Sequence, residues 1–429
     1  MPQKPLARRS RQAQILGWLG CRRRCRLRSH PRNLSGSCQR REPAIRDQTT
    51  HHSASGPVAI VGGGAIGLAI GWRLAQRGVP IAIYERGEAG HGASWAAAGM
   101  LAAGVETEPG EHDLAALNRQ SLALWPAFAA ELEEASGLSV GLRREGTLQV
   151  ALTRDDAAQL RFTYDFQREH GIALEWLTAR QALEREPRLN PSLAAAVYSP
   201  GDHQADNRML VRALKRAFLA AGGTLHEHAA VTAIEVAGGM VAGLRVGESR
   251  VAAETVVLAA GAWSGEIAGL PAEARAPVRP VKGQMLALKM DAAAPLLRHV
   301  VWAPRAYLVP RRDGRLIVGA TVEEKGFNVD LTAGGVFALL EGAWRALPGV
   351  EELPIDEMWV GFRPGSRDDA PLLGPSAVAG LVLATGHYRN GILLTPVTAD
   401  LVARYLQTGA VDPAMAPFAP ERFLPRVRA

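Results

Sequence analysis

The chain has 429 residues, 47% of them hydrophobic and 21% charged, a composition that excludes collagen-like and wholly disordered proteins and leaves room for two domains. No window approaches the roughly 18 consecutive apolar residues that a membrane-spanning helix needs. The net charge of +7 is unevenly placed: residues 1–56 hold one Lys and twelve Arg against Glu42 and Asp47, a net of +11, which leaves −4 for residues 57–429.

Residues 1–56 have one short apolar patch (Ile15, Leu16, Trp18, Leu19) in an Arg-, Ser- and Gln-rich background. Such a segment buries too little surface to order itself, so a basic disordered tail is expected. It reads as a dispensable extension, a targeting leader or a solvated basic arm, and its apolar stretch is short for a secretory signal. Cys21, Cys25 and Cys38 all lie in it. A disulfide framework, a thiolate metal site and a cysteine nucleophile are therefore excluded from the rest, which fits the cytoplasm.

From Pro57 the character changes. The apolar run Val58-Ala59-Ile60-Val61 leads into Gly62-Gly63-Gly64-Ala65-Ile66-Gly67, then a helical pattern through Leu68, Trp72, Leu74 and Ala75, then a second strand Ile81–Tyr84 ending at Glu85. Gly62, Gly64 and Gly67 make the G-x-G-x-x-G turn in its strand–helix context, with the acidic Glu85 21 residues beyond Gly64. The first glycine permits the tight turn, the second lets backbone approach a pyrophosphate, and the third lets helix pack on strand. Phosphate would then face the helix N-terminus, and Glu85 would accept from ribose hydroxyls. The small residues from Gly90 to Met100 permit close approach to a flat ligand.

Downstream, Leu210, Val211, Leu214, Ala217 and Phe218 keep a helical spacing after an N-cap at Asp206, with a stop at Gly222-Gly223. Val256–Ala259 and Leu381–Ala384 read as buried strands, whereas Thr147–Ala151 and Leu316–Gly319 alternate as antiparallel strands do. The expected fold class is α/β. A Rossmann-like dinucleotide-binding domain (57–140, 200–268 and 358–420) is interleaved with a mainly antiparallel α+β substrate domain (141–199 and 269–357), followed by a tail at 421–429. His226-Glu227-His228 is the one dense His cluster of the body and lacks a third ligand, so it reads as solvated surface and no metal is expected.

The segments Val58–Gly67, Ala93-Ser94, Ala97–Met100, Val257–Trp263, Arg279–Gln284, Trp359–Pro364 and Gly386–Leu394 together resemble the D-amino-acid oxidase superfamily of FAD enzymes, a fold of glutathione-reductase-like type. Within it the chain is most similar to the glycine oxidases of thiazole (thiamin) biosynthesis, over residues 57–420. The resemblance implies FAD contacts at Ala65 and Ile66, at Glu85 and Arg86, at Ala93 and Ser94, and at Ala98, Gly99 and Met100 beside the isoalloxazine. Val231 would meet adenine. His387, Asn390, Gly391 and Ile392 would face the flavin, the last two opening a helix whose positive end lies near its C2 carbonyl. The position that carries His in histidyl-linked relatives is Ala96, and no Cys follows Cys38, so the FAD would be non-covalent.

The resemblance further implies that Arg363 and Tyr307 bind the carboxylate of a small amino acid, with Arg389 alongside. An Arg fork suits a carboxylate because it offers two parallel charge-assisted bonds. Hydride would pass from Cα to flavin N5 with no side-chain base required, and O2 or another acceptor would reoxidise the flavin, O2 yielding peroxide. The imine product would hydrolyse or pass to thiazole synthase, and a homo-oligomer is implied. Three other readings stay open: a D-amino-acid dehydrogenase or sarcosine/N-methyl amino acid oxidase of the same fold, a flavin-binding protein without turnover, and an FAD module acting on modified tRNA. The −4 charge of residues 57–429 weighs against the last, because RNA binding rests on phosphate neutralisation.

Overall fold

The structure, a computed structural model, describes residues 57–424. The reading of residues 1–56 and the end of the proposed C-terminal tail lie outside the described residues. Two sheets organise the rest. The first has six strands in the order Leu372–Pro375, Leu381–Thr385, Thr255–Leu258, Val58–Val61, Ile81–Tyr84, Thr224–His226. Its pairings are parallel except at the Leu372–Pro375 edge. Buried parallel strands read as continuous apolar runs because both faces are covered. Here Val58 and Ile60 pack with Leu68, Ile70, Leu210, Leu214 and Phe218 of the helices Ala65–Ala75 and Asn207–Ala220. Ala59 and Val61 pack the other way, with Val231, Ile234 and Leu244 of a three-stranded antiparallel sheet.

The helix Asn207–Ala220 begins where expected, because the Asp206 carboxylate accepts from the backbone N–H of Arg208 and Met209. Sequence periodicity leaves several helices unannounced, the longest described being His112–Ser136. Its Ser121 Oγ and Trp125 Nε1 donate to Leu393 O at 2.6 and 2.9 Å. This corrects the expectation that Gly391 opens a helix. Residues 391–394 form a turn, and the helix starts at Thr395. The carbonyl of Leu393 is already held by the long helix, and Pro396 fits the first helical turn, where no N–H is needed.

The second sheet has eight strands, in the order Ile355–Gly365, Arg279–Lys289, Arg315–Gly319, Ala306–Pro310, Val300–Ala303, Thr147–Ala151, Ala195–Ser199, Glu175–Thr178. It is antiparallel except where Val300–Ala303 runs parallel to Thr147–Ala151. Along Arg279–Lys289, Leu286 and Leu288 face the core under helix Ala333–Ala346, with Leu339 and Ala343. Met285 and Ala287 face the opposite way, toward Ala96 and Ala98. The strand Ile355–Gly365 belongs wholly to this sheet and crosses position 358, where the sequence suggests a return to the first domain. Residues 421–424 are also packed rather than a free tail: Arg422 makes a two-pronged contact with Asp368 at 2.8 and 2.9 Å. Among the described residues no helix is long and apolar enough to cross a membrane.

Candidate active site

One cavity of about 1070 Å³ opens where the two sheets meet. That exceeds the roughly 300–1000 Å³ of a pocket for one drug-sized ligand, so there is room for a dinucleotide with a small partner. All the residues singled out by the sequence line it except Gly67 and Asn390. Gly67 is a packing residue: a Cβ there would stand 2.0 Å from the Gly62 carbonyl. Asn390 is buried behind the lining, its N–H spent on His387 O.

At one end of the cavity the helix Ala65–Ala75 begins without a side-chain cap. Its open N–H groups and positive end suit a phosphate, and Ser94 Oγ is already drawn to Ala65 N at 2.9 Å. Gly62 has φ +107, and a Cβ on it would meet Ala259 O at 2.4 Å, so only glycine makes this turn. The Glu85 carboxylate accepts from Gly63 N at 2.7 Å and Gly87 N at 3.0 Å, with lone pairs left for ribose hydroxyls. Arg86 lies 3.5 Å above the Trp263 ring; burial lowers its pKa, with Glu85 acting against that. These residues fit a dinucleotide: anion donors, an acid 21 residues on, and glycines where backbone must come close. Glu227, which accepts from Ala89 N and Lys215 Nζ, props the same loop. No cluster of three metal-ligating side chains occurs among the described residues.

The wall formed by Ala93–Met100 is held by a residue that sequence reasoning missed. Arg311 is buried and donates to Ala98 O at 2.6 Å, Asn207 Oδ1 at 3.0 Å, Gln204 Oε1 at 2.9 Å and Ala205 O at 3.1 Å. Asn207 Nδ2 donates in turn to Ser94 O and Trp95 O, both at 2.8 Å. Burial lowers the Arg311 pKa to about 10 against the pull of Asp206, which leaves it charged at neutral pH. Its fork crosses from the second sheet to the small-residue loop, a long-range pairing with no local sequence signature.

At the other end the two arginines differ in their surroundings. Arg389 Nη2 bonds Glu111 Oε2 at 2.8 Å, and its Nε lies 3.2 Å from Glu106 Oε2. Burial works against its charge, but Glu106, Glu111 and Glu108 raise its pKa. Arg363 has no carboxylate partner among the described residues; Nη1 donates to Thr321 O at 3.0 Å. It lies flat over the strand Arg279–Lys289, where a Cβ on Gly283 would be 2.6 Å from Nη1. Tyr307 lies over Gly319 in the same way and pairs with it across the strands. Burial raises the Tyr307 pKa, with Arg363 lowering it and Glu106 raising it, so the phenol stays protonated as a donor. The motif Lys282-Gly283-Gln284 splits its work by strand alternation. Gly283 carries Arg363, while Lys282 Nζ and the Gln284 amide hold the segment Thr321–Thr332 through Asn328, Glu323 and Thr332.

His387 is no base. It is buried, with Nε2 3.1 Å from Thr398 Oγ1, and burial pushes its pKa down to about 3. It is therefore neutral at physiological pH.

A parallel sheet with a glycine-turn helix, joined to an antiparallel sheet that presents an unpaired arginine, defines a flavin-type dinucleotide oxidoreductase. The sequence model of the FAD-dependent oxidoreductase family (DAO) matches residues 57–405, and the chain belongs to that family. It is 41% identical over 374 residues to the glycine oxidase of Geobacillus kaustophilus, covering 86% of this chain and 98% of that one. It is 36% identical to the bifunctional protein ThiO/ThiG of Trichormus variabilis, covering 85% of this chain and 55% of that protein. The crystal structure of the Geobacillus enzyme superposes with a TM-score of 0.80, covering 86% and 99% of the two chains.

Proposed function

We propose that the chain oxidises glycine or a comparably small amino acid at Cα, with non-covalent FAD as cofactor. The observation that carries this reading is Arg363: an uncompensated guanidinium on a glycine platform, beside a protonated Tyr307, at the end of the cavity opposite the glycine turn. FAD, when bound, supplies the acceptor for the two electrons of the Cα–H bond and passes them to O2, giving hydrogen peroxide. The chain's own residues do the rest. Arg363 holds the substrate carboxylate through charge-assisted bonds and Tyr307 donates a further one, which fixes the direction of the Cα–H bond. Gly62, Gly64, Ala65 and Ile66 would hold the pyrophosphate and Glu85 the ribose. Ala98–Met100, His387, Gly391 and Ile392 would border the ring, and Val231 the adenine. The arrangement of Arg389 supports a role in matching the glutamates beside it rather than in gripping the carboxylate.

In this reading the six-stranded sheet with its helices is the cofactor-binding portion and the eight-stranded sheet the substrate portion. The likeness to a protein named glycine oxidase and to one named bifunctional protein ThiO/ThiG supports a place in thiazole formation, with the imine hydrolysed or handed to a thiazole-forming partner. A cytoplasmic homo-oligomer is part of the same reading. The test is oxygen uptake and peroxide release by the FAD-loaded protein with glycine, sarcosine, D-alanine and D-proline. Glycine should give one peroxide per oxygen consumed; turnover that requires an added quinone or dye would mark a dehydrogenase instead.

A further inference from the structure

Glu106 lines the cavity beside Arg389 and close enough to Tyr307 to act on its phenol. Its side chain is 10% exposed; Oε2 is turned away from the cavity and sealed, whereas Oε1 is not among the sealed oxygens. Oε2 is met by Arg389 Nε in an ion pair at 3.2 Å. Arg389 has its bonded carboxylate elsewhere, in Glu111. The loop that carries Glu106 is pinned on every side. Asp202 accepts from Gly104 N at 2.7 Å and Val105 N at 2.8 Å. Gln167 Nε2 donates to the carbonyls of Val105 and Thr107 at 3.2 and 3.1 Å, and Thr107 Oγ1 donates to Ala103 O. Oε2 is thus compensated by the Arg389 charge, and a carboxyl on a loop fixed this firmly keeps its second oxygen, Oε1, for a donor in the cavity.

The substrate of the proposed reaction is a zwitterion. Arg363 takes its carboxylate, and no residue so far described takes its ammonium. The geometry points to Glu106 as the group that receives the substrate ammonium and accepts its proton before oxidation, an inference that rests on the amino acid oxidase reading. In that step an N–H bond breaks and an O–H bond forms, so the substrate amine and Glu106 both become neutral. The nitrogen lone pair is then free to form the C=N bond as the Cα–H electrons leave to the FAD. Around Glu106 stand Arg389 from the facing segment, Glu108 two residues along the same loop, Asp202 behind the loop and Tyr307 nearby. Burial, opposed by Arg389 and reinforced by Asp202 and Glu108, puts its pKa at about 7, well placed to take and return a proton near neutrality.

Two ligands separate this role from a structural one. Acetate has the carboxylate without the ammonium; glycine has both. In the FAD-loaded wild type, acetate, read by its perturbation of the flavin spectrum, should bind about tenfold tighter as pH falls from 8.5 to 5.5 and Glu106 is neutralised. In E106Q, acetate should bind at least as tightly as to the wild type at low pH, with no pH dependence. Glycine's apparent Kd from anaerobic flavin reduction should rise at least tenfold in the same variant. Acetate affinity that stays flat with pH in the wild type overturns the proposal without any variant, as does an E106Q change equal for both ligands. If glycine fails to reduce the wild-type flavin, the functional reading falls while the acetate titration still decides the charge at Glu106.

Discussion

Gly283 and Arg363 are bound by shape: the guanidinium lies where a side chain at position 283 would have to be, with a Cβ only 2.6 Å from Nη1. The φ of Gly283 is ordinary for a strand, so an alanine there strains no backbone. It would instead lift the fork off the sheet. Overpacking of this kind costs about 1–3 kcal/mol, and here the cost falls on the position of the arginine. G283A should fold and hold FAD, yet bind acetate or glycine roughly 10- to 100-fold more weakly. Spectral titration of the flavin reads this directly, and unchanged affinity would show that Arg363 does not meet the carboxylate.

Arg311 is expected to act on the cofactor rather than the substrate. R311M removes a charge that satisfies four buried acceptors, and breaking a buried ionic network typically costs about 3–5 kcal/mol. The variant should lose FAD during gel filtration and melt well below the wild type, while R311K recovers part of both. Retention of FAD by R311M at wild-type affinity would contradict the role given to the Ala98 wall.

His387 gives a pH signature. Its folded pKa is depressed to about 3 from an ordinary value of 6.5, so between these values the unfolded chain binds a proton that the folded chain does not. Stability is then fully present above about 6.5 and declines as pH falls toward 3. Across two pH units in this window the loss is roughly 2–3 kcal/mol at about 1.4 kcal/mol per unit. At fixed FAD concentration, the urea midpoint of the wild type should drop more between pH 6.5 and 4.5 than that of H387Q. Parallel curves would show that His387 is charged or solvated.

The glycine turn was legible because its requirements are local: Gly62, Gly64 and Gly67 each answer a steric demand set within a few residues, and Glu85 follows on the next strand. The Asp206 cap was legible for the same reason. Gly283 and Arg363 stand 80 residues apart, so each motif could be seen while the contact between them could not. Arg311 looked like one basic residue among 49 until the fold carried Ala98 and Asn207 to it. Glu106 sits in a loop of unremarkable composition, and its character comes from Asp202 and Arg389, both far along the chain. The turn at 391–394 failed as a helix because a distant helix, His112–Ser136, claims the Leu393 carbonyl.

The most direct measurement is anaerobic addition of glycine to the purified FAD-loaded protein, followed by flavin absorbance, with R363A in parallel. The expected result is full bleaching of the wild type, colour and peroxide on admitting air, and at least 100-fold slower bleaching of R363A, which still binds FAD. Wild-type flavin that stays oxidised under excess glycine, or an R363A flavin reduced as fast as the wild type's, would contradict it.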